Sequence, residues 1–140
     1  MRTGVQVGPE PADTRPEGGS VPRVLVIDDE PGIRNILRAS LEASGYDVVL
    51  ADDGLRGIGA ARRQRPDAIV LDLMMPVMDG HTVLDVLRAD EKTRYLPVVV
   101  LSALTQQAVR DRCQAQGVAS FIEKPFDPAD VEAALEAALS

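Results

Sequence analysis

Residues 67–80 read Asp67-Ala68-Ile69-Val70-Leu71-Asp72-Leu73-Met74-Met75-Pro76-Val77-Met78-Asp79-Gly80. Ala68–Leu71 is an apolar run of the length of one buried strand, and Asp72 stands at its end. Pro76 and Asp79-Gly80 then impose a loop before the next helical pattern begins. A carboxylate at the end of a buried strand gains nothing from burial, so Asp72 needs another reason to be there.

The same grammar repeats on both sides. Val24–Ile27 is a β-branched-rich run that stops at Asp28-Asp29-Glu30, and Pro31 suits the first position of a helix. Ile33, Ile36, Leu37 and Leu41 then fall on one helical face, which Gly45 ends. Further strands are expected at Tyr46–Leu50, Pro97–Leu101 and Ala119–Ile122. Helices are expected over 53–64, Gly80–Ala89, Leu104–Ala115 and Pro128–Leu139. In the helix over 53–64, Leu55, Ile58 and Ala61 form the inward stripe. Gly57 and Gly59 there each cost about 0.8–1.0 kcal/mol against alanine, so this element should be the softest. Strands alternating with helices, and apolar throughout rather than every second residue, define an α/β domain. It is doubly wound, a three-layer sandwich around a five-stranded parallel sheet.

Composition bounds the functions this domain can have. The 140 residues, 45% apolar and 26% charged, suffice for one domain with a core. A net charge of -7 argues against direct nucleic-acid binding, and Arg62, Arg63 and Arg65 read as a solvated helix end. Cys113 is the only cysteine, which excludes an internal disulfide or a cysteine zinc site and points to the cytoplasm. No apolar run approaches the ~20 residues of a membrane span, and the start lacks the layout of a signal peptide. Residues 1–20 are rich in glycine and proline and read as a disordered N-terminal extension to a domain over 21–140.

In a parallel sheet all strands end on one edge, where ligands bind. Asp28 and Asp29, Asp72, Ser102 and Lys124 each follow or end a strand and should therefore meet. Crowded carboxylates raise one another's pKa unless a cation intervenes, and Mg2+ suits one or two carboxylates with water and phosphate. A metal on one side of Asp72 and an ammonium on the other would stabilise a transferring phosphoryl group. A carboxylate attacking phosphorus gives an acyl phosphate. We therefore read Asp72 as a nucleophile.

Val26-Ile27-Asp28-Asp29-Glu30, Asp72 to Gly80, Ser102-Ala103 and Lys124-Pro125-Phe126 together resemble the receiver domain of bacterial two-component response regulators, over about residues 22–139. The resemblance implies the flavodoxin-like strand order 2-1-3-4-5, which periodicity cannot supply. It implies Asp72 as phosphoacceptor, with Mg2+ bound by Asp28, Asp29, Asp72 and the Met74 carbonyl. Ser102 would be the switch hydroxyl, Lys124 the phosphoryl's partner, and Phe121 the aromatic whose rotamer follows the switch. Lys124-Pro125 would be cis. Met74 and Leu104 fall where the family tunes dephosphorylation, and neither side chain can hydrogen-bond an attacking water. The donor would be a sensor histidine kinase or phosphotransfer protein. Output would pass to a downstream protein through the surface of the fourth helix, fifth strand and fifth helix. Because the sequence stops just past the last helix, a stand-alone regulator is expected. A homodimer formed on phosphorylation is left open, and so is the kinase's identity.

Blander readings stand beside these. A lone strand-end aspartate is ordinarily a turn residue, Ser102 alone would pass for a helix cap, and Phe121 can be plain core. Asp79 reads as the cap of the helix after it. Met74, Met75 and Met78 read as loop packing, His81 as an exposed helix residue, and Cys113 is given no role. Among rivals, an aspartyl-nucleophile phosphatase would carry a second aspartate where Met74 stands. A nucleotide-binding module would need a glycine-rich loop where Asp28-Asp29-Glu30 stands. The chain is therefore expected to be a signalling domain, not an enzyme. A phosphorelay intermediate and an unphosphorylated docking scaffold remain as alternatives.

Overall fold

The computed structural model describes residues 21–140. The expected extension over 1–20 lies outside the described residues. The strands are β1 (Arg23–Ile27), β2 (Asp47–Ala51), β3 (Ala68–Asp72), β4 (Val98–Ser102) and β5 (Ser120–Glu123). The helices between and after them are α1 (Pro31–Ala43), α2 (Gly54–Arg63), α3 (Gly80–Ala89), α4 (Gln107–Ala115) and α5 (Pro128–Leu139). All pairings are parallel, in the order β2-β1-β3-β4-β5.

Alternate residues of the central strands feed two separate cores, which is why those strands are apolar at every position. Leu25, Ile27, Ile69, Leu71 and Val100 face α2, α3 and α4, packing on Ala60, Val83, Leu84, Leu87 and Cys113. Val24, Val26, Val70, Val99 and Leu101 face α1 and α5, packing on Leu37, Leu41, Val131 and Leu135. Cys113, given no role from sequence, is a core residue.

Several expectations about helix faces need correction. Ile36 is 54% exposed, because the buried stripe of α1 runs through Leu37 and Leu41. Leu55 is 67% exposed, because α2 meets the sheet through Gly54, Gly57, Ala60 and Ala61 instead. A Cβ on Gly57 would lie 2.5 Å from Ile27 Cδ1, so this glycine is where the helix meets the strand. α4 starts at Gln107, three residues later than expected. Residues 103–106 stay irregular, with the Leu104 amide donating to Ser102 Oγ at 2.9 Å. His81, expected at the surface, is nearly buried. Its Nδ1 lies 2.8 Å from Gln116 Oε1, and the Gln116 amide donates to the His81 carbonyl at 3.0 Å and to Asp85 at 2.8 Å.

Candidate functional site

β1, β3, β4 and β5 deliver their polar ends to one edge of the sheet. Asp28 and Asp29 follow β1, Asp72 ends β3, Ser102 ends β4 and Lys124 follows β5. One oxygen from each of Asp28, Asp29 and Asp72 lies within 4.8 Å of the others. Lys124 Nζ stands 3.3 Å from Asp72 Oδ1, 3.6 Å from Asp28 Oδ2 and 3.5 Å from Glu30 Oε1. Asp28 and Asp72 are buried, whereas the Glu30 side chain is 60% exposed.

Backbone contacts hold the two buried acids in place. Asp28 Oδ1 accepts the Glu30 amide at 2.9 Å, and Asp72 Oδ1 accepts the Met74 amide at 3.1 Å. Arg34, one turn into α1, donates to the Asp28 carbonyl at 2.7 Å and so fixes the loop that carries both β1 acids. Asp79 caps α3 by accepting the Thr82 amide at 3.0 Å, as expected of it. Gly80 opens that helix hard against the strand end. A Cβ there would lie 2.6 Å from Leu73 Cα and 2.8 Å from the Asp72 carbonyl oxygen. Ser102 is fully buried, and its carbonyl accepts the Lys124 amide at 2.9 Å. Phe121 is half-buried on β5, with the Arg110 guanidinium 4.6 Å from its ring centre. The Lys124-Pro125 bond is cis.

The electrostatics follow from this crowding. Burial, then the charge of Asp28, pushes the Asp72 carboxyl up to about 6, against the opposing pull of Lys124 and the Met74 amide. Burial likewise raises Asp28, although the Glu30 amide and Lys124 oppose it. Burial draws Lys124 down, but Asp28, Asp72 and Glu30 outweigh it and hold its ammonium above the usual range. Among the described residues, Asp28 Oδ2 is the buried side-chain oxygen left with no hydrogen-bond partner. An orphaned carboxylate oxygen facing two further carboxylates suits a hard divalent cation with oxygen ligands.

The edge thus gathers Asp28, Asp29, Asp72, Ser102 and Lys124, with Phe121 on β5 two positions before Glu123, the register partner of Ser102. Sequence reasoning missed Glu30 as the third carboxylate on Lys124, although it adjoins the acidic pair. Arg34 could have been found from its position one helical turn past Glu30.

A parallel five-stranded α/β domain with acids and one lysine clustered on its strand-end edge defines the flavodoxin-like class of acidic-pocket domains. The profile of the response regulator receiver domain matches residues 24–136, and the chain belongs to that family of two-component signalling domains. It is 43% identical over 121 residues to the DNA-binding dual master transcriptional regulator RpaA of Synechocystis, covering 85% of this chain and 49% of the relative. It is 41% identical over 124 residues to the transcriptional regulatory protein PrrA of Mycobacterium tuberculosis, covering 87% of this chain and 52% of the relative. The chain therefore spans about half the length of the curated relatives it matches. Among solved structures, chemotaxis protein CheY4 of Vibrio cholerae superposes with a TM-score of 0.81 at 29% identity, covering 86% of this chain and 100% of that one. The receiver domain of the sensor histidine kinase PA1611 from Pseudomonas aeruginosa superposes with a TM-score of 0.78 at 32% identity, covering 86% and 98%. That structure carries a magnesium ion coordinated in its active site cleft. Receiver domains accept phosphoryl groups from histidine kinases and bind Mg2+ in their acidic pocket. Among the described residues, no helix is long and apolar enough to cross a membrane.

Proposed function

We propose that this chain accepts a phosphoryl group on Asp72 from a sensor histidine kinase or phosphotransfer protein in the cytoplasm. The supporting observation is the placement of Lys124 Nζ 3.3 Å from Asp72 Oδ1, beside the Asp28–Asp29–Asp72 oxygens. Asp28, Asp29, Asp72 and the Met74 carbonyl would hold Mg2+, which supplies positive charge to the equatorial oxygens of the transferring group. Asp72 contributes a carboxylate oxygen that attacks phosphorus. The new O–P bond forms as the donor's N–P bond breaks, and the leaving imidazole takes up a proton. Lys124, shared in the resting protein among three carboxylates, turns its ammonium to the phosphoryl oxygens. Ser102 gives up the Leu104 amide to donate its hydroxyl to the phosphoryl group, and Phe121 follows on the adjacent strand. The phosphoryl group thereby favours an arrangement of α4, β5 and α5 that the free protein populates less, and a partner reads that surface.

Incubation with acetyl phosphate, with and without Mg2+, followed by intact mass tests this reading. The expected result is a Mg2+-dependent gain of one phosphoryl group that Asp72→Asn abolishes. Equal labelling of Asp72→Asn, or an unlabelled but folded protein in Mg2+, would overturn it.

A further inference from the structure

We infer that Glu30 is an internal competitor for Lys124, a positioning residue that restrains the ammonium from engaging an incoming phosphoryl group. The inference rests on the phosphoacceptor reading of Asp72. Asp53, Asp79 and Asp127 occupy the N-cap positions of α2, α3 and α5, and each accepts an amide of its own helix. Glu30 on α1, like Gln106 on α4, holds the same position and makes no such bond. Its carboxylate reaches across the site to Lys124 at 3.5 Å.

The three carboxylates around Lys124 are not equivalent. Asp28 and Asp72 are buried and belong to the oxygen cluster that suits a cation, whereas Glu30 is exposed and stands outside that cluster. A cation in the cluster satisfies the two buried acids and loosens their hold on Lys124. Glu30 is then the anion that keeps the ammonium, on a flexible four-carbon stem, away from the place the phosphoryl oxygens take. Bond making at phosphorus is unchanged: the Asp72 oxygen attacks and the donor's leaving group departs with its electron pair. What changes is how readily Lys124 arrives.

Two variants separate this contact from a simple field effect. Glu30→Gln removes the charge, while Glu30→Asp keeps the charge and withdraws it by one methylene. The pair is largely solvent-exposed at its Glu30 end, so its loss should accelerate phosphorylation about two- to fivefold. With Mg2+ present, both variants should accelerate equally with acetyl phosphate, a dianion, and phosphoramidate, a monoanion. Repulsion of the donor would instead scale with donor charge and spare Glu30→Asp. Acceleration confined to Glu30→Gln and stronger with acetyl phosphate, or no acceleration in either variant, overturns the inference. Mg2+ affinity, read by calorimetric titration without any phosphoryl donor, should weaken less than about tenfold in Glu30→Asp, since ligand loss costs more. A larger loss would make Glu30 part of the cation site and also overturn the inference. A wild-type protein labelled by neither donor removes the phosphoacceptor reading itself. Labelling that is normal in wild type and unaltered in the variants removes only the role of Glu30.

Discussion

Replacing Asp72 by asparagine removes a buried charge that the metal-free protein holds at a cost. The Asp72 side chain is 2% exposed, and burial with the Asp28 charge raises its carboxyl from 3.8 to about 6. Ionising it in the folded state at pH 7 therefore costs up to about 3 kcal/mol relative to the unfolded chain. Asparagine keeps an oxygen for the Met74 amide, 3.1 Å away, and Lys124 keeps Asp28 and Glu30. The ionisation cost already includes the pull of Lys124, so it is an upper bound. Burying the asparagine amide beside the ammonium offsets part of it and leaves a net stabilisation of about 1–2 kcal/mol, or roughly 5–10 °C in Tm. The sign with pH follows. Between 3.8 and about 6 the folded protein holds a proton on Asp72 that the unfolded chain has released. This group's contribution is thus fully present below 3.8 and lost as pH rises through about 6. Thermal or urea melts in EDTA across pH 4–7 should show that fall in the wild type and a flatter profile in Asp72→Asn. Saturating Mg2+ should reverse the ranking at pH 7, since binding at a hundred times Kd adds about 2.7 kcal/mol to the protein that binds best. An Asp72→Asn protein less stable than wild type in EDTA at pH 7 would refute the reasoning.

Met74 is half-exposed beside Asp72 and cannot hydrogen-bond an attacking water. Met74→Asn should therefore shorten the lifetime of the phosphorylated form severalfold, read as loss of label after donor removal; an unchanged decay would count against it. Val77 carries φ 69°, a left-handed conformation in which a β-branched side chain is strained, and it is fully exposed. Val77→Gly should raise stability by up to about 1 kcal/mol, the relieved strain less glycine's greater unfolded entropy. A drop in Tm would contradict that account.

Much of the fold is legible because both sheet faces are covered: Val24–Ile27 and Val98–Leu101 must then be apolar at every position. The strand-end acids are legible too, since Asp28 and Asp72 have no packing reason to be there. Helix faces were less so. Ile36 and Leu37 are both apolar neighbours, and periodicity alone cannot decide which of them turns inward. Gly57 looks like a liability until Ile27 is seen pressing on it, a fact about the opposite strand rather than about the helix. His81 follows a capped helix start and looks solvent-facing; its burial depends on Gln116, 35 residues away. Glu30 escaped notice because its partner is Lys124, which only the closing of the parallel sheet brings near.

α4 buries Cys113 and little else, yet its last turn is firmly fastened. Gln116 grips His81 and Asp85, while Arg88 donates to the carbonyls of Gln116 at 3.0 Å and Gly117 at 3.1 Å. Toward its start, Arg110 supplies a half-exposed clasp to Glu123 and the Phe121 ring. The helix is therefore a bar pinned at one end, about 14 Å long at 1.5 Å per residue. A tilt of about 10° about the pinned end sweeps the other by roughly 2.4 Å, a lever arm set by helix length alone. Under the proposed function, the length of this bar, and not only the chemistry at Asp72, would set how large a movement beside Ser102 becomes at the surface.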